Sequence, residues 1–236
     1  MDRWTINAVL LDMDGTLLDT EKVYLKASIA ALGTLGYTDG VEALCHSMIG
    51  IPGPVCERMF IEHFGADFPR DHVSRAFAVH CAEIMRLGPP LKQGAIALLD
   101  AIDAASLPKA IVTSASRSTA NKHLGLAGIG DRFDAILTRD DVRRGKPSPD
   151  LYLLAAERFG ARPEACLAIE DSNPGVAAAH AAGAITIMVP DIAPPTDESR
   201  ARCAIVLPDL YATIDLLAAK GVLRSPRRNG EEPGIR

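Results

Sequence analysis

Several classes of protein are excluded by what this 236-residue sequence lacks. No apolar run reaches the roughly 18 to 20 residues of a membrane-spanning helix, and the opening Met-Asp-Arg-Trp lacks the basic and apolar regions of a signal peptide. The five cysteines include no Cys-x-x-Cys pair, so neither a disulfide framework nor a structural zinc site is predicted. Aromatic residues make up only 5%, against 48% hydrophobic residues overall, which is typical of a globular protein with an aliphatic core. We expect a cytoplasmic protein with no membrane partner.

The chain also lacks an excess of positive charge. It has 30 acidic and 25 basic residues, and its formal net charge is −5. Binding to nucleic acid or to anionic lipid through bulk electrostatic attraction is therefore not expected. The sequence predicts no oligomeric state.

Six short apolar runs do stand out, and each is nearly continuous rather than alternating. This pattern is typical of strands buried on both faces of a parallel sheet, where the crossover connections are helices. Predicted helices lie between the later runs, so the sequence predicts an α/β fold with a doubly wound parallel sheet. The predicted strands are 6–11, 110–113, 135–137, 166–169, 185–189 and 204–207, and the helices among them are 92–105, 117–126, 150–160 and 174–182.

The segment 20–88 interrupts this alternation of strands and helices. It contains no convincing strand, and glycines and prolines divide it into helices predicted at 21–35, 54–64 and 71–86. We interpret it as a helical cap domain inserted after the first strand. The core domain is then formed by residues 1–19 and 89–220, and the polar segment 221–236 is predicted to be a flexible tail.

Polar residues follow four of the predicted strands at the point where each strand ends. Because the carboxyl ends of parallel strands meet at one edge of a sheet, these residues are expected to converge there. Several carboxylates together are costly to bury unless they are paired or bind a metal, and oxygen ligands favour a hard cation such as Mg²⁺. The residues are Asp12 and Asp14, Thr113 and Ser114, Lys146 in the loop Gly145-Lys146-Pro147, and Glu170 and Asp171.

Four motifs around these residues carry a family resemblance. Over residues 7 to about 207, the sequence resembles the haloacid dehalogenase (HAD) superfamily, in the branch that contains β-phosphoglucomutase and phosphoglycolate phosphatase. This resemblance implies a Rossmann-like core with a helical cap. The motifs are Asp12-Met-Asp14-Gly15-Thr16, Val112-Thr-Ser114-Ala115-Ser, Gly145-Lys146-Pro-Ser-Pro-Asp150 and Ile169-Glu170-Asp171-Ser-Asn-Pro-Gly175.

The resemblance implies that Asp12 is a nucleophile attacking a phosphate ester. A carboxylate and a phosphate charge 4 Å apart repel by about 4 kcal/mol at an effective dielectric constant near 20, so cations must offset this repulsion. By resemblance, Mg²⁺ is held by Asp12, Asp171 and the backbone carbonyl of Asp14, with Glu170 in or near its coordination shell. Lys146 supplies a second positive charge.

Further residues are expected to bind the phosphate and to transfer protons. Ser114 and the backbone N–H groups around Ala115 would bind the phosphate oxygens, and Thr113 competes with Ser114 for the hydroxyl role. The carboxyl group of Asp14 would protonate the leaving oxygen and then activate the hydrolytic water. Asp19 is interpreted as an N-cap of the helix that follows it.

Several functions remain in competition at this point. Dehalogenases lack the second aspartate, so Asp14 favours phosphoryl transfer. A phosphosugar mutase of the β-phosphoglucomutase type is disfavoured, because Tyr24, Ile49 and Gly53 occupy the positions of its cap cations. A non-enzymatic phospho-receiver module needs no helical cap. We therefore expect a phosphatase acting on a small phosphorylated metabolite, such as a short alcohol phosphate, a sugar phosphate or phosphoglycolate, with the loop 48–54 closing over the site.

Overall fold

The protein contains a six-stranded sheet in which all strands are parallel. A computed structural model describes residues 3–48 and 53–223. The strand order β3-β2-β1-β4-β5-β6 is that of a doubly wound sheet, as the sequence predicted. The strands are β1 (Ala8–Leu11), β2 (Lys109–Val112), β3 (Ala135–Leu137), β4 (Cys166–Glu170), β5 (Ile185–Met188) and β6 (Ile205–Val206).

Ten α-helices lie within the described residues, and seven of them match the helices predicted from the sequence. The sequence analysis missed α2, α9 and α10. Two of these are short, with 7 and 6 residues, and so show little periodicity. The helices are α1 (Thr20–Thr34), α2 (Val41–Ser47), α3 (Gly53–Phe64), α4 (Arg70–Met85), α5 (Ala95–Ala104), α6 (Arg117–Leu126), α7 (Asp150–Arg158), α8 (Asn173–Ala182), α9 (Asp197–Arg202) and α10 (Leu210–Ala219). None of the described helices is long and apolar enough to cross a lipid bilayer.

Strand β1 lies at the centre of the sheet and is fully buried. Its side chains alternate between two hydrophobic clusters, because successive residues of a strand point to opposite faces. Val9 and Leu11 pack with α5, α6 and α10 on one face, whereas Ala8 and Leu10 pack with α7 and α8 on the other. This burial on both faces explains the continuous apolar run.

The helical segment 20–88 has a hydrophobic cluster of its own. Leu32 of α1 packs with Val41, Phe68 and Val73, and partly buried aromatic rings complete the cluster. The Tyr37 and Phe64 ring centroids lie 4.6 Å apart. The apolar residues of the insertion therefore form its own core. Most of the predicted closing loop, residues 49–52, lies outside the described residues.

The core domain extends beyond residue 220, after which the flexible tail was predicted to begin. Leu223 is 5% exposed and packs in the larger hydrophobic cluster, where the partly buried Val222 joins it. These two residues, predicted as tail, are thus packed against the core. Residues 224–236 lie outside the described part of the chain.

Candidate active site

Lys146 links the acidic residues at the carboxyl edge of the sheet. Asp12 directly follows β1, Glu170 ends β4, and Lys146 lies in the loop that precedes α7. The Lys146 ammonium donates to Asp12 Oδ1 at 2.6 Å, to Glu170 Oε1 at 2.5 Å and to the Val112 carbonyl at 2.7 Å. Its side chain is 4% exposed, so all three N–H groups have partners in a nearly water-free setting.

Three carboxylates surround a position where a cation can bind. One oxygen from each of Asp12, Glu170 and Asp171 lies within 4.8 Å of the others. Burial raises the pKa of Asp12 despite the opposing charge of Lys146, and burial together with Asp12 and Glu170 raises the pKa of Asp171. One ammonium group does not neutralise three carboxylates, two of them buried, and a set of oxygen donors suits a hard divalent cation. The residues present therefore fit Mg²⁺.

Two glycines permit the close approach of these carboxylates. A Cβ atom on Gly15, whose φ is +87°, would lie 2.2 Å from Asp171 Oδ2. A Cβ atom on Gly175 would lie 2.0 Å from Glu170 Oε2. Any side chain at either position would displace a carboxylate, which explains the glycine in the first and the last motif.

Tyr152 fixes the orientation of Glu170, and the sequence analysis missed it. Its hydroxyl donates to Glu170 Oε1 at 2.7 Å, and its ring lies 5.4 Å from the Lys146 ammonium. The Ser172 hydroxyl donates to the other oxygen, Oε2, at 3.1 Å. Glu170 is 0% exposed, so these bonds hold a carboxylate that has no access to water.

Asp14 lies beside a histidine that the sequence analysis also missed. Asp14 Oδ1 and His123 Nδ1 are 3.9 Å apart, which is too far for a hydrogen bond. Burial raises the pKa of Asp14, while the Thr20 hydroxyl and, to a smaller extent, His123 and Lys146 oppose this shift. Burial also lowers the pKa of His123. No spacing rule identifies His123, because it comes from helix α6 rather than from a strand end.

The residues predicted to bind phosphate are divided between buried and exposed positions. The Thr113 hydroxyl is buried and accepts the N–H of Ala115 at 3.0 Å, so Thr113 has a structural role in the turn. Ser114 is exposed at the end of β2. Since the Ala115 N–H already has this partner, phosphate binding by that group stays a prediction.

Asp19 does not act as predicted. It occupies the N-cap position of α1, but its side chain makes no capping hydrogen bond. Asp19 Oδ2 instead accepts from the Lys22 ammonium at 2.5 Å. The predicted capping role is therefore wrong.

Comparisons with known proteins agree with this geometry. A family model described as haloacid dehalogenase-like hydrolase matches residues 6–183. The chain belongs to this family. A Drosophila melanogaster protein named "Probable pseudouridine-5'-phosphatase" is 32% identical over 188 residues, which cover 77% of this chain and 80% of the relative. Fructose-1-phosphate phosphatase from Escherichia coli K12 is 32% identical over 179 residues, covering 74% and 92%.

A solved structure shows the same fold. The haloacid dehalogenase family hydrolase from Deinococcus radiodurans R1, crystallised with bound phosphate and sodium, is 30% identical. Its TM-score is 0.81, and the match covers 93% of this chain and 98% of that one. The parallel sheet described above is therefore the haloacid dehalogenase fold.

Within this family fold, the first turn of α1 lies beside the acidic site. Burial raises the pKa of Glu21, and the charges of Asp191 and Asp14 act in the same direction. Burial and the charge of Asp14 likewise raise the pKa of Tyr24, whose ring packs against Phe77 of α4 at a centroid distance of 6.2 Å. Tyr24 occupies one of the positions compared above with the cap cations of the mutase, whereas Ile49 lies outside the described residues.

Proposed function

We propose that this protein is a Mg²⁺-dependent phosphatase that hydrolyses a small phosphorylated metabolite of the sugar phosphate type through an aspartyl-phosphate at Asp12. The observation that carries the proposal is the Lys146 ammonium bridging Asp12 and Glu170, next to the oxygen of Asp171. The phosphatase names of the two relatives and the phosphate bound to the Deinococcus hydrolase support it.

Lys146 and its partners prepare Asp12 for nucleophilic attack. The bond to Asp12 Oδ1 fixes one carboxylate oxygen, which leaves Oδ2 available to attack phosphorus. The buried ammonium also offsets part of the repulsion between this carboxylate and the phosphate. Mg²⁺, held by Asp12, Asp171, the backbone carbonyl of Asp14 and Glu170 in or near its shell, would supply further positive charge when bound.

Asp14 serves both halves of the reaction. Its raised pKa keeps a larger fraction of the carboxyl group protonated, as a general acid requires. In the first half the proton passes to the leaving alcohol oxygen while the phosphorus–oxygen bond breaks. In the second half Asp14 accepts a proton from the water that attacks the aspartyl-phosphate. Ser114 at the exposed strand end binds a phosphate oxygen.

The helical segment 20–88 acts as the cap and selects the substrate. Tyr24 offers a neutral, half-buried side chain near Asp14 rather than a cation for a second phosphate. This arrangement favours release of the dephosphorylated alcohol over its rephosphorylation, which a mutase requires. A neutral sugar or short polyol fits such a site.

Phosphate release is the test of this function. The protein is incubated with p-nitrophenyl phosphate and with a panel of sugar phosphates, with Mg²⁺ and then with excess EDTA. We expect release of inorganic phosphate with Mg²⁺ and its loss with EDTA. The Asp12→Asn variant should be inactive, whereas Asp215→Asn, at an exposed position of α10, should match the wild type. Formation of an isomeric phosphosugar without phosphate release would indicate a mutase, and stable phosphorylation without turnover would indicate a receiver.

A further inference from the structure

Two buried polar atoms face each other beside the nucleophile without a hydrogen-bond partner. They are Asp14 Oδ1 and His123 Nδ1, and 3.9 Å separates them. The Thr20 hydroxyl, which also lies beside Asp14, is unpaired as well. A buried donor or acceptor that is left unpaired destabilises the folded state. Asp14 Oδ1 and His123 Nδ1 would both be satisfied by one hydrogen bond between them, which requires an approach of about 1 Å.

The histidine ring is held by a rigid element. His123 is 7% exposed, and its helix α6 is anchored in the larger hydrophobic cluster by Ala120 and Leu124. The Ser116 side chain caps the start of this helix by accepting from the Thr119 N–H at 3.2 Å. Asp14, by contrast, lies in the turn after β1 and has a side chain that is 31% exposed. A carboxyl group in a turn gains a defined orientation from a fixed donor on a helix.

We propose that His123 is a positioning residue for Asp14, with Nδ1–H donating to Asp14 Oδ1 during turnover. This inference rests on the proposed function. With Asp14 Oδ1 held, Asp14 Oδ2 carries the proton. As Asp12 Oδ2 forms its bond to phosphorus, the ester P–O bond breaks, its electron pair passes to the leaving oxygen, and the proton of Asp14 moves to that oxygen. When water attacks phosphorus, its proton returns to Asp14 Oδ2 and the P–O bond to Asp12 breaks.

Comparing substrates that differ in their leaving group distinguishes a positioning role of His123 from a merely structural one. A sugar alkoxide needs a proton from Asp14 to depart, whereas p-nitrophenolate leaves without one. The ratio kcat/KM reports the steps up to this departure. The His123→Leu variant should therefore lose at least about tenfold in kcat/KM for a sugar phosphate, and less than about threefold for p-nitrophenyl phosphate.

Two polar substitutions keep the test valid if the leucine variant folds poorly. In His123→Asn the amide nitrogen lies near the former position of Nδ1, whereas in His123→Gln it lies near that of Nε2. The asparagine variant should retain sugar phosphate turnover better than the glutamine variant. His180→Leu, at an exposed position of α8, is the matched control and should leave both substrates unaffected. Circular dichroism and thermal unfolding establish that each variant is folded.

The outcomes distinguish this inference from the proposed function. Absence of phosphatase activity in the wild type refutes the proposed function, and the inference with it. The inference alone is tested when the wild type is active and Asp14→Asn shows the dependence on the leaving group. In that case, either of two results overturns it: His123→Leu loses kcat/KM equally for both substrates, or His123→Asn turns over the sugar phosphate no better than His123→Gln. The inference is supported if His123→Leu causes no further selective loss when added to Asp14→Asn.

Discussion

The Gly175→Ala substitution, which adds one methyl group, should displace Glu170 and so disrupt the acidic site. Gly175 lies in the first turn of α8, where its N–H donates to the Ser172 side chain at 3.2 Å. Its backbone is not in the left-handed region, so alanine meets no conformational penalty there. In an open helical position this substitution stabilises by up to about 1 kcal/mol. At Gly175 we expect the opposite sign.

The expected magnitude follows from the position of Glu170. The added Cβ would lie 2.0 Å from Glu170 Cδ and Oε2, where ordinary contacts begin at 3.4 Å. The carboxylate must therefore move by about 1.4 Å, the difference between the two distances. Such a move breaks its bonds of 2.5 Å to Lys146 and 2.7 Å to Tyr152. Overpacking and the lost charged hydrogen bonds together should lower the free energy of unfolding by about 2–5 kcal/mol.

Urea unfolding measures the loss of stability, and calorimetric titration with Mg²⁺ measures the loss of metal binding. Gly33→Ala is the matched control, because Gly33 lies in α1 and an added Cβ would meet no atom within 4 Å. The control should be as stable as the wild type or slightly more stable. Gly175→Ala should also bind Mg²⁺ at least about tenfold more weakly, since Glu170 is displaced from the acidic group. A Gly175→Ala protein with the stability of Gly33→Ala and unchanged Mg²⁺ affinity would refute this reasoning.

Two other substitutions test two separate groups of charged residues, the one around Lys146 and the pair of Arg117 with Asp141. Lys146→Met should lower the free energy of unfolding in urea by about 3–5 kcal/mol, because it leaves two buried carboxylates without their cation. As the control, Arg144→Ala removes an exposed ion pair and should lower it by less than about 1 kcal/mol. Equal losses in the two variants would contradict the assigned role of Lys146. Burial raises the pKa of Asp141, but hydrogen bonds from Arg117 and Thr138 outweigh it, so that the pKa is lowered overall. This carboxylate therefore stabilises the fold above its unfolded pKa of about 4 and loses that effect as the pH falls through the folded value. Urea unfolding of Asp141→Asn should show a deficit at pH 7 that shrinks towards pH 3, and a deficit independent of pH would disprove this.

The sequence predicted the sheet and the residues that meet at its edge because both depend on local patterns. A continuous apolar run such as 8–11 indicates a buried parallel strand, and the residue that ends it is then placed by topology. Asp12, Lys146, Glu170 and Asp171 are brought together in this way. The short helix α9 and the two-residue strand β6 carry too little periodicity for this reasoning to fix their bounds.

The contacts made by helices could not be predicted in the same manner. Tyr152 reads as an ordinary core residue of α7, and its bond to Glu170 exists only because this helix packs across β1, β2 and β3 and so brings the hydroxyl to the end of β4. His123 is similarly one polar residue on the buried face of α6. The role of Asp19 was misjudged because its backbone, at φ −87° and ψ 55°, lies outside the extended region of a capping residue, and its carboxylate binds Lys22 instead. Side-chain contacts that arise when two secondary-structure elements pack together leave no pattern in the local sequence.

Trapping the covalent intermediate tests the central claim most directly. The Asp14→Asn variant, in which hydrolysis of the aspartyl-phosphate should be slowed, is mixed with Mg²⁺ and p-nitrophenyl phosphate, quenched in acid and digested for mass spectrometry. We expect one phosphoryl group on the peptide that contains Asp12, and none when Asp12→Asn is added to the same protein. Phosphorylation of a different residue, or phosphate release by Asp12→Asn at the wild-type rate, would contradict nucleophilic catalysis by Asp12.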